Sequence, residues 1–384
     1  MKPKIFTFCM TIALTACNPE DATQTIHWDT QSKLPMQADG SAHLGLAGPI
    51  TGIIDNKLLL MGGANFPATM PWDGGAKEYH QEAYIYEIGD GHVDFVKQTP
   101  THIPLAYSAV CSDGTRLYIA GGENNNGIQK DVFTLELTAD SIQIARLPNL
   151  PHPYTNGGLL KVKNKLFFIG GENTEHVSAR IYELNLSIAG STWETHPTTL
   201  PYPVSHAIFL TDAKEQNIYI IGGRKRNENS RSTVYDQILQ WNLSTQKIET
   251  IGTLPRPLAA GTGVMDDQGD ILIFGGDDAS TFHQVEDLIA KITATEDSNQ
   301  KQILIQQKAF LQQNHPGFTS DSWKFNIQQK KWSKIAPIPA KSPVTTQALS
   351  YKNMIIIPSG EIKAGIRTDQ ILVGTIGKGG KHAK

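Results

Sequence analysis

Two residues near the C-terminal end of the chain have the types and spacing for acid–base chemistry on an anion. In Gly360-Glu361-Ile362-Lys363-Ala364-Gly365-Ile366-Arg367-Thr368-Asp369, Arg367 follows Glu361 by six residues. Gly360 and Gly365 let the chain turn tightly, so one loop can aim both side chains inwards, with Arg367 at the start of the next strand. A guanidinium holds a carboxylate bidentately. A carboxyl group enclosed away from water moves protons at a hydroxyl or ring oxygen. Together they suit a sugar acid; an ion pair that fastens the loop is the other reading of the same two residues.

The elements that must position this pair are repeated along the chain. Five apolar segments end in Gly-Gly, at Gly62-Gly63, Gly121-Gly122, Gly170-Gly171, Gly222-Gly223 and Gly275-Gly276, and a sixth ends in Ser359-Gly360. Successive intervals are 59, 49, 52, 53 and 84 residues, and four of the five cluster near the kelch period of about 50. A small-residue strand precedes each pair, as in Asn156-Gly157-Gly158-Leu159-Leu160. An alternating strand follows, as in Arg180-Ile181-Tyr182-Glu183-Leu184, and then a strand marked by Trp193 or Trp332 before a Leu-Pro or Ile-Pro turn. The fold expected is all-β: a six-bladed kelch propeller of four-stranded blades stacked around a channel. In the last unit, strands are expected near Val344 to Ser350, Met354 to Ser359 and Gln370 to Val373, with no fourth. Ile26-His27-Trp28-Asp29 carries the missing Trp, so the N-terminal strand should close the C-terminal blade. The 84-residue interval holds an insertion in blade five, at about residues 280–316, whose apolar spacing reads as two helices. A side wall and a lid over the mouth are equally open readings of it.

Residues just after each glycine pair should rim the channel mouth: Ala64-Asn65, Glu123-Asn124, Glu172-Asn173, Arg224-Lys225, Asp277-Asp278 and Glu361. Their convergence makes a polar pocket. Asn65, Glu123, Glu172 and Arg224 are accordingly the substrate-binding candidates beside the catalytic candidates Glu361 and Arg367. The histidines are scattered without metal-ligand spacing, so no metal site and no cofactor is expected.

The N-terminal residues read as an address. Lys2 and Lys4, then a short apolar run, then Leu14-Thr15-Ala16-Cys17 have the layout of a bacterial lipoprotein signal, with Cys17 as the lipidated residue. The expected organisation is a signal peptide at 1–16, a tether at 17–25, the propeller at 26–376 and a basic tail at 377–384. The expected location is the bacterial cell envelope, at the periplasmic face or the outer membrane, held by the lipid anchor alone. Of three cysteines only Cys111 stays free within the folded part, so no intrachain disulfide is available and a buried, inert thiol is expected. With 34 Lys and Arg against 37 Asp and Glu, the formal charge of −3 lacks the basic excess that nucleic-acid binding needs. The 34 Gly, 21 Pro and a charged fraction of 18% fit a turn-rich chain with few long charged helices.

The Gly360 to Thr368 run resembles the G-E-x-K-P-G-x-R-T segment of the bacterial N-acetylneuraminate epimerases, the kelch-type sialic acid mutarotases, with Ala364 in place of the Pro. Gly62-Gly63-Ala64-Asn65-Phe66-Pro67 and the following Pro71 to His80 are similar to that family's long Gly-Gly loop, and the resemblance extends over most of the chain after the signal. A Glu-Arg segment at the C-terminal end matches the cyclically permuted mutarotases. The resemblance implies interconversion of the α and β anomers of N-acetylneuraminate, with Glu361 and Arg367 at the catalytic or binding positions. A non-catalytic kelch propeller that binds glycan or protein at the cell surface is the alternative.

Overall fold

The computed structural model describes residues 25–138 and 141–377; the expected signal peptide, Cys17, most of the tether and most of the basic tail lie outside them. Six four-stranded antiparallel sheets follow one another, with second strands at Lys57–Met61, Leu117–Ala120, Lys165–Ile169, Asn217–Ile221, Ile271–Phe274 and Met354–Pro358. These strands are apolar almost throughout because both their faces are covered. In blade one, Leu58 and Leu60 pack with blade six while Leu59 and Met61 pack with blade two, the alternation that a pleated strand dictates. Six clusters of buried side chains, one between each pair of neighbouring blades, make the core of the described residues. The architecture is the expected six-bladed propeller.

Blade six is built from both ends of the chain. Ile26–Asp29 pairs antiparallel with Ile371–Ile376, and Trp28 packs its ring edgewise on Phe274 of blade five at 5.7 Å. The innermost strand of this blade is shorter than expected, Leu349–Tyr351, because Val344 bridges Glu361 and Thr345 bonds to the neighbouring blades instead. Its third strand begins at Ile371, so Arg367 does not start that strand as expected; Arg367 lies in a separate hairpin.

The paired glycines have a packing cause. Gly121 and Gly122 are both left-handed, at φ +64° and +105°, and the Gly122 amide donates to the Tyr154 carbonyl of the next blade at 2.8 Å. A Cβ on Gly121 would collide with that same carbonyl. In blade six the first position is Ser359, also left-handed at +54°, whose buried hydroxyl bonds to Leu46 and Thr368.

A second set of contacts closes the throat of the channel. Gly48, Tyr107, Asn156, His206, Ala260 and Thr345 each have φ between +52° and +62°. The amide of each donates to the carbonyl of the one before it, Gly48 returning to Thr345, at 2.7 to 3.3 Å. The result is one continuous ring of backbone hydrogen bonds, one residue per blade, whose residues line a central cavity of about 140 Å³.

The insertion in blade five is helical as expected, with α1 at Ser280–Ala294 and α2 at Ser298–Gln313. It docks through polar contacts on the blade-four hairpin: Arg231 on Asp287 at 2.6 and 2.9 Å, and the Ser232 hydroxyl and amide on Glu286 at 2.6 and 2.9 Å. At its other end α2 packs on the Pro71–Asp73 turn of blade one, and Lys363 Nζ of blade six donates to the Gln313 carbonyl. The insertion thus ties three hairpins around the mouth together.

Candidate active site

The residue ahead of each throat position forms an isolated bridge with the residue just after a glycine pair: Ala47 with Ala64, Ala106 with Glu123, Thr155 with Glu172, Ser205 with Arg224, Ala259 with Asp277, and Val344 with Glu361. Ala64, Glu123, Glu172, Arg224, Asp277 and Glu361 are therefore equivalent positions around one rim. Burial, with Asp278 beside it, pushes the Asp277 carboxyl up.

Glu361 and Arg367 face each other as register partners across the blade-six hairpin of Glu361–Lys363 and Ile366–Arg367. The turn is held by Gly365, left-handed at +71°, whose amide donates to Glu361 Oε1 at 2.8 Å. A Cβ at Gly365 would press on Pro71 and Trp72, so this turn and the blade-one loop fit each other only with glycine there. The Arg367 side chain is 3% exposed. Its Nε donates to the Ala64 carbonyl at 3.2 Å, and its guanidinium lies 4.7 Å from the Phe66 ring centre. Nη1, buried and without a hydrogen-bond partner, stands 4.0 Å from Glu361 Oε1.

The remaining candidates divide into two groups. Asn65 is buried, and its Nδ2 donates to the Gly45 carbonyl at 2.9 Å while Oδ1 is unpartnered. Glu123 accepts from Lys77 Nζ at 2.6 Å and from the Tyr79 hydroxyl at 2.8 Å, which latches the blade-one loop onto blade two. On the opposite side of the rim, Arg224 Nη2 lies 3.3 Å from Glu172 Oε1, with Phe282 of α1 over its guanidinium at 5.0 Å, and Glu172 Oε2 is buried and unpartnered. Burial, and then Arg224 beside it, holds the His206 imidazole well below its ordinary value, so a neutral ring supports this pair.

Lys77, Tyr107 and His206 are site residues that the sequence reasoning above does not single out. Lys77 Nζ sits 4.7 Å from the centre of the Tyr107 ring. Burial opposes the Lys77 charge, but Tyr107, Glu123 and Tyr79 together outweigh it and push the ammonium up. Burial pushes the Tyr107 phenol up as well; Lys77 and Arg367 oppose that shift, and Glu361 adds to it. The throat residues stand 14 residues ahead of Gly62, Gly121, Gly170 and Ser359, 15 ahead of Gly275 and 16 ahead of Gly222, a spacing from which Tyr107 and His206 can be found.

A family model described as N-acetylneuraminate epimerase matches residues 147–384, more than half of the chain. The chain belongs to the N-acetylneuraminate epimerase family. The N-acetylneuraminate epimerase of Salmonella typhimurium (strain LT2) is 25% identical over 238 residues, covering 59% of this chain and 57% of the relative. That of Yersinia pestis (strain Pestoides F) is 29% identical over 118 residues, 28% of this chain and 29% of the relative. The chain thus matches little more than half the length of the Salmonella epimerase. Glu172, Arg224, Glu361 and Arg367 fall inside the span that matches the N-acetylneuraminate epimerase model, whereas Asn65, Lys77, Tyr107 and Glu123 precede it.

Proposed function

We propose that the protein is a mutarotase that interconverts the α and β anomers of N-acetylneuraminate. The observation that carries this reading is the Glu361–Arg367 pair: a carboxylate and a buried, unpartnered guanidinium nitrogen 4.0 Å apart at the rim of a propeller of the epimerase family. The sugar is a cyclic hemiketal with a carboxylate on its anomeric carbon C2. Changing anomer means removing the proton of the C2 hydroxyl, protonating the ring oxygen as its bond to C2 breaks, rotating the open ketone about C2–C3 and reclosing on the other face. Glu361 takes and returns the hydroxyl proton, and Arg367 Nη1 binds the carboxylate.

The electrostatics of the rim support an anionic substrate. Glu123 is neutralised by Lys77 and Glu172 by Arg224, so these two carboxylates do not oppose the incoming carboxylate. The contacts of Asn65 and Glu123 suit them to holding the blade-one loop, while Glu172 and Arg224 face the hydroxyls or the N-acetyl group from across the mouth. The reading includes export as a lipoprotein anchored at Cys17, on the strength of residues 1–17 alone. Polarimetry on freshly dissolved β-N-acetylneuraminate tests the activity. A relaxation rate that rises in proportion to protein supports it, and a rate independent of protein leaves a binding propeller in its place.

A further inference from the structure

Ring opening needs a proton at the ring oxygen as well as a base at the C2 hydroxyl, and a carboxylate that takes the hydroxyl proton has no proton of its own to give to the ring oxygen in the same step. Of the six throat residues only Tyr107 and His206 carry a group that moves protons. His206 is engaged, with Nδ1 3.0 Å from the Ser205 hydroxyl and within reach of Arg224 and Glu172. Tyr107 packs on blade one. Its ring lies over Gly48, where a Cβ would stand 2.7 Å from the Tyr107 Cγ, so only the missing side chain at the neighbouring throat position leaves room for the ring. Gly48 follows Ala47, which bridges Ala64, and Ala64 offers the carbonyl that Arg367 Nε holds, so the Tyr107 ring and the Arg367 guanidinium flank one short piece of blade one, with Lys77 over the ring at 4.7 Å.

Resting on the mutarotase reading above, the geometry points to Tyr107 as a second catalytic residue, the acid that protonates the ring oxygen. As the bond from C2 to the ring oxygen breaks, the Tyr107 O–H proton passes to that oxygen and the C2 hydroxyl proton passes to Glu361, leaving a ketone at C2. Lys77 and Arg367 flank the phenolate that forms. After rotation the sugar hydroxyl attacks the other face of the ketone and returns its proton to Tyr107, while Glu361 protonates the new C2 oxygen. Both side chains end as they began. Burial keeps the phenol protonated until substrate accepts the proton, and Lys77 and Arg367 offset part of the cost of forming its anion.

Tyr107→Phe keeps the ring, its packing on Gly48 and its contact with Lys77, and removes only the hydroxyl. The expected result is a fall in kcat on the order of 100-fold or more, an unchanged melting midpoint, and wild-type affinity for the 2-deoxy analogue of N-acetylneuraminate, which keeps the ring oxygen and carboxylate but cannot open. Wild-type kcat in the variant overturns the assignment and leaves the mutarotase reading standing. Equal losses of rate and of affinity for the 2-deoxy analogue overturn it too, by making the hydroxyl a binding group. A wild-type protein that binds the analogue without accelerating anomerisation defeats the mutarotase reading and this role with it.

Discussion

Glu361 and Arg367 are direct cross-strand partners in the blade-six hairpin, with Arg367 Nη1 4.0 Å from Glu361 Oε1 and without a hydrogen-bond partner among the described residues. A gap of that size is wider than a hydrogen bond and leaves each group its own ligand oxygen, the C2 hydroxyl for Glu361 and the carboxylate for Arg367. Glu361→Gln keeps the shape and the acceptor for the Gly365 amide but cannot take a proton. The expected outcome is a loss of anomerase rate of about 100-fold or more with the thermal midpoint kept, read by a rate assay and a melt on the same sample. A variant with wild-type rate contradicts the role given to Glu361.

Arg367 serves two contacts at once, the Ala64 carbonyl through Nε and the space before Glu361 through Nη1. Lysine has one nitrogen and cannot do both. Arg367→Lys is expected to lower kcat/KM by about 10-fold or more, mainly through KM, since one good charged contact is worth about 1.5–3 kcal/mol. Steady-state kinetics checks this, and an unchanged KM with normal kcat contradicts the carboxylate contact.

Acidification should weaken the fold before it protonates most carboxylates. Burial, with His80 nearby, lowers His43 to about 4, and burial lowers His80 and His206 as well. His43 Nδ1 accepts the Gly45 amide at 2.9 Å and so must be unprotonated in that contact. Unfolded imidazoles take up protons near pH 6.5 while these native ones do not, so the unfolded state binds more protons below that value. Stability is therefore full above about pH 6.5 and falls as pH drops toward about 4. Urea midpoints across that window measure it, and His43→Gln should flatten the slope; a midpoint that rises on acidification contradicts the argument.

The closure of the ring rests on a short segment. Ile26–Asp29 covers the edge of the apolar strand Ile371–Ile376, with Ile26 buried and Trp28 against Phe274. Deleting residues 26–29 uncovers that edge and should cost about 3 kcal/mol or more, at roughly 1.5–3 kcal/mol for each large apolar side chain lost. Aggregation should follow from the open strand. Calorimetry and light scattering on the truncated chain test this, and an unchanged midpoint contradicts the closure energetics.

The fold was largely legible because its signals are local. Gly-Gly pairs mark turns where the next blade's carbonyl leaves no room for a Cβ, and Trp28 belongs to a fourth strand wherever in the chain that strand occurs. The helical spacing from Phe282 to Leu311 likewise needs no tertiary context. The site was legible in part, since Glu123, Glu172, Arg224 and Glu361 are fixed by their place after the glycines. Arg367 falls in a hairpin and not at the start of the third strand, and over two residues the two look alike in sequence. Lys77 stayed hidden because its loop is shaped by distant contacts, the Pro71–Asp73 turn against α2 and Gly365. Tyr107 and His206 stayed hidden because the throat is defined by backbone bonds between blades, which accept Gly, Tyr, Asn, His, Ala or Thr equally.

Proton NMR on α-N-acetylneuraminate, freshly released and mixed with the protein, tests the central claim most directly. The α signals are expected to decay to the equilibrium mixture at a rate linear in protein concentration, and Glu361→Gln is expected to return the decay to the spontaneous rate. Decay at the spontaneous rate in the presence of folded wild-type protein would contradict it.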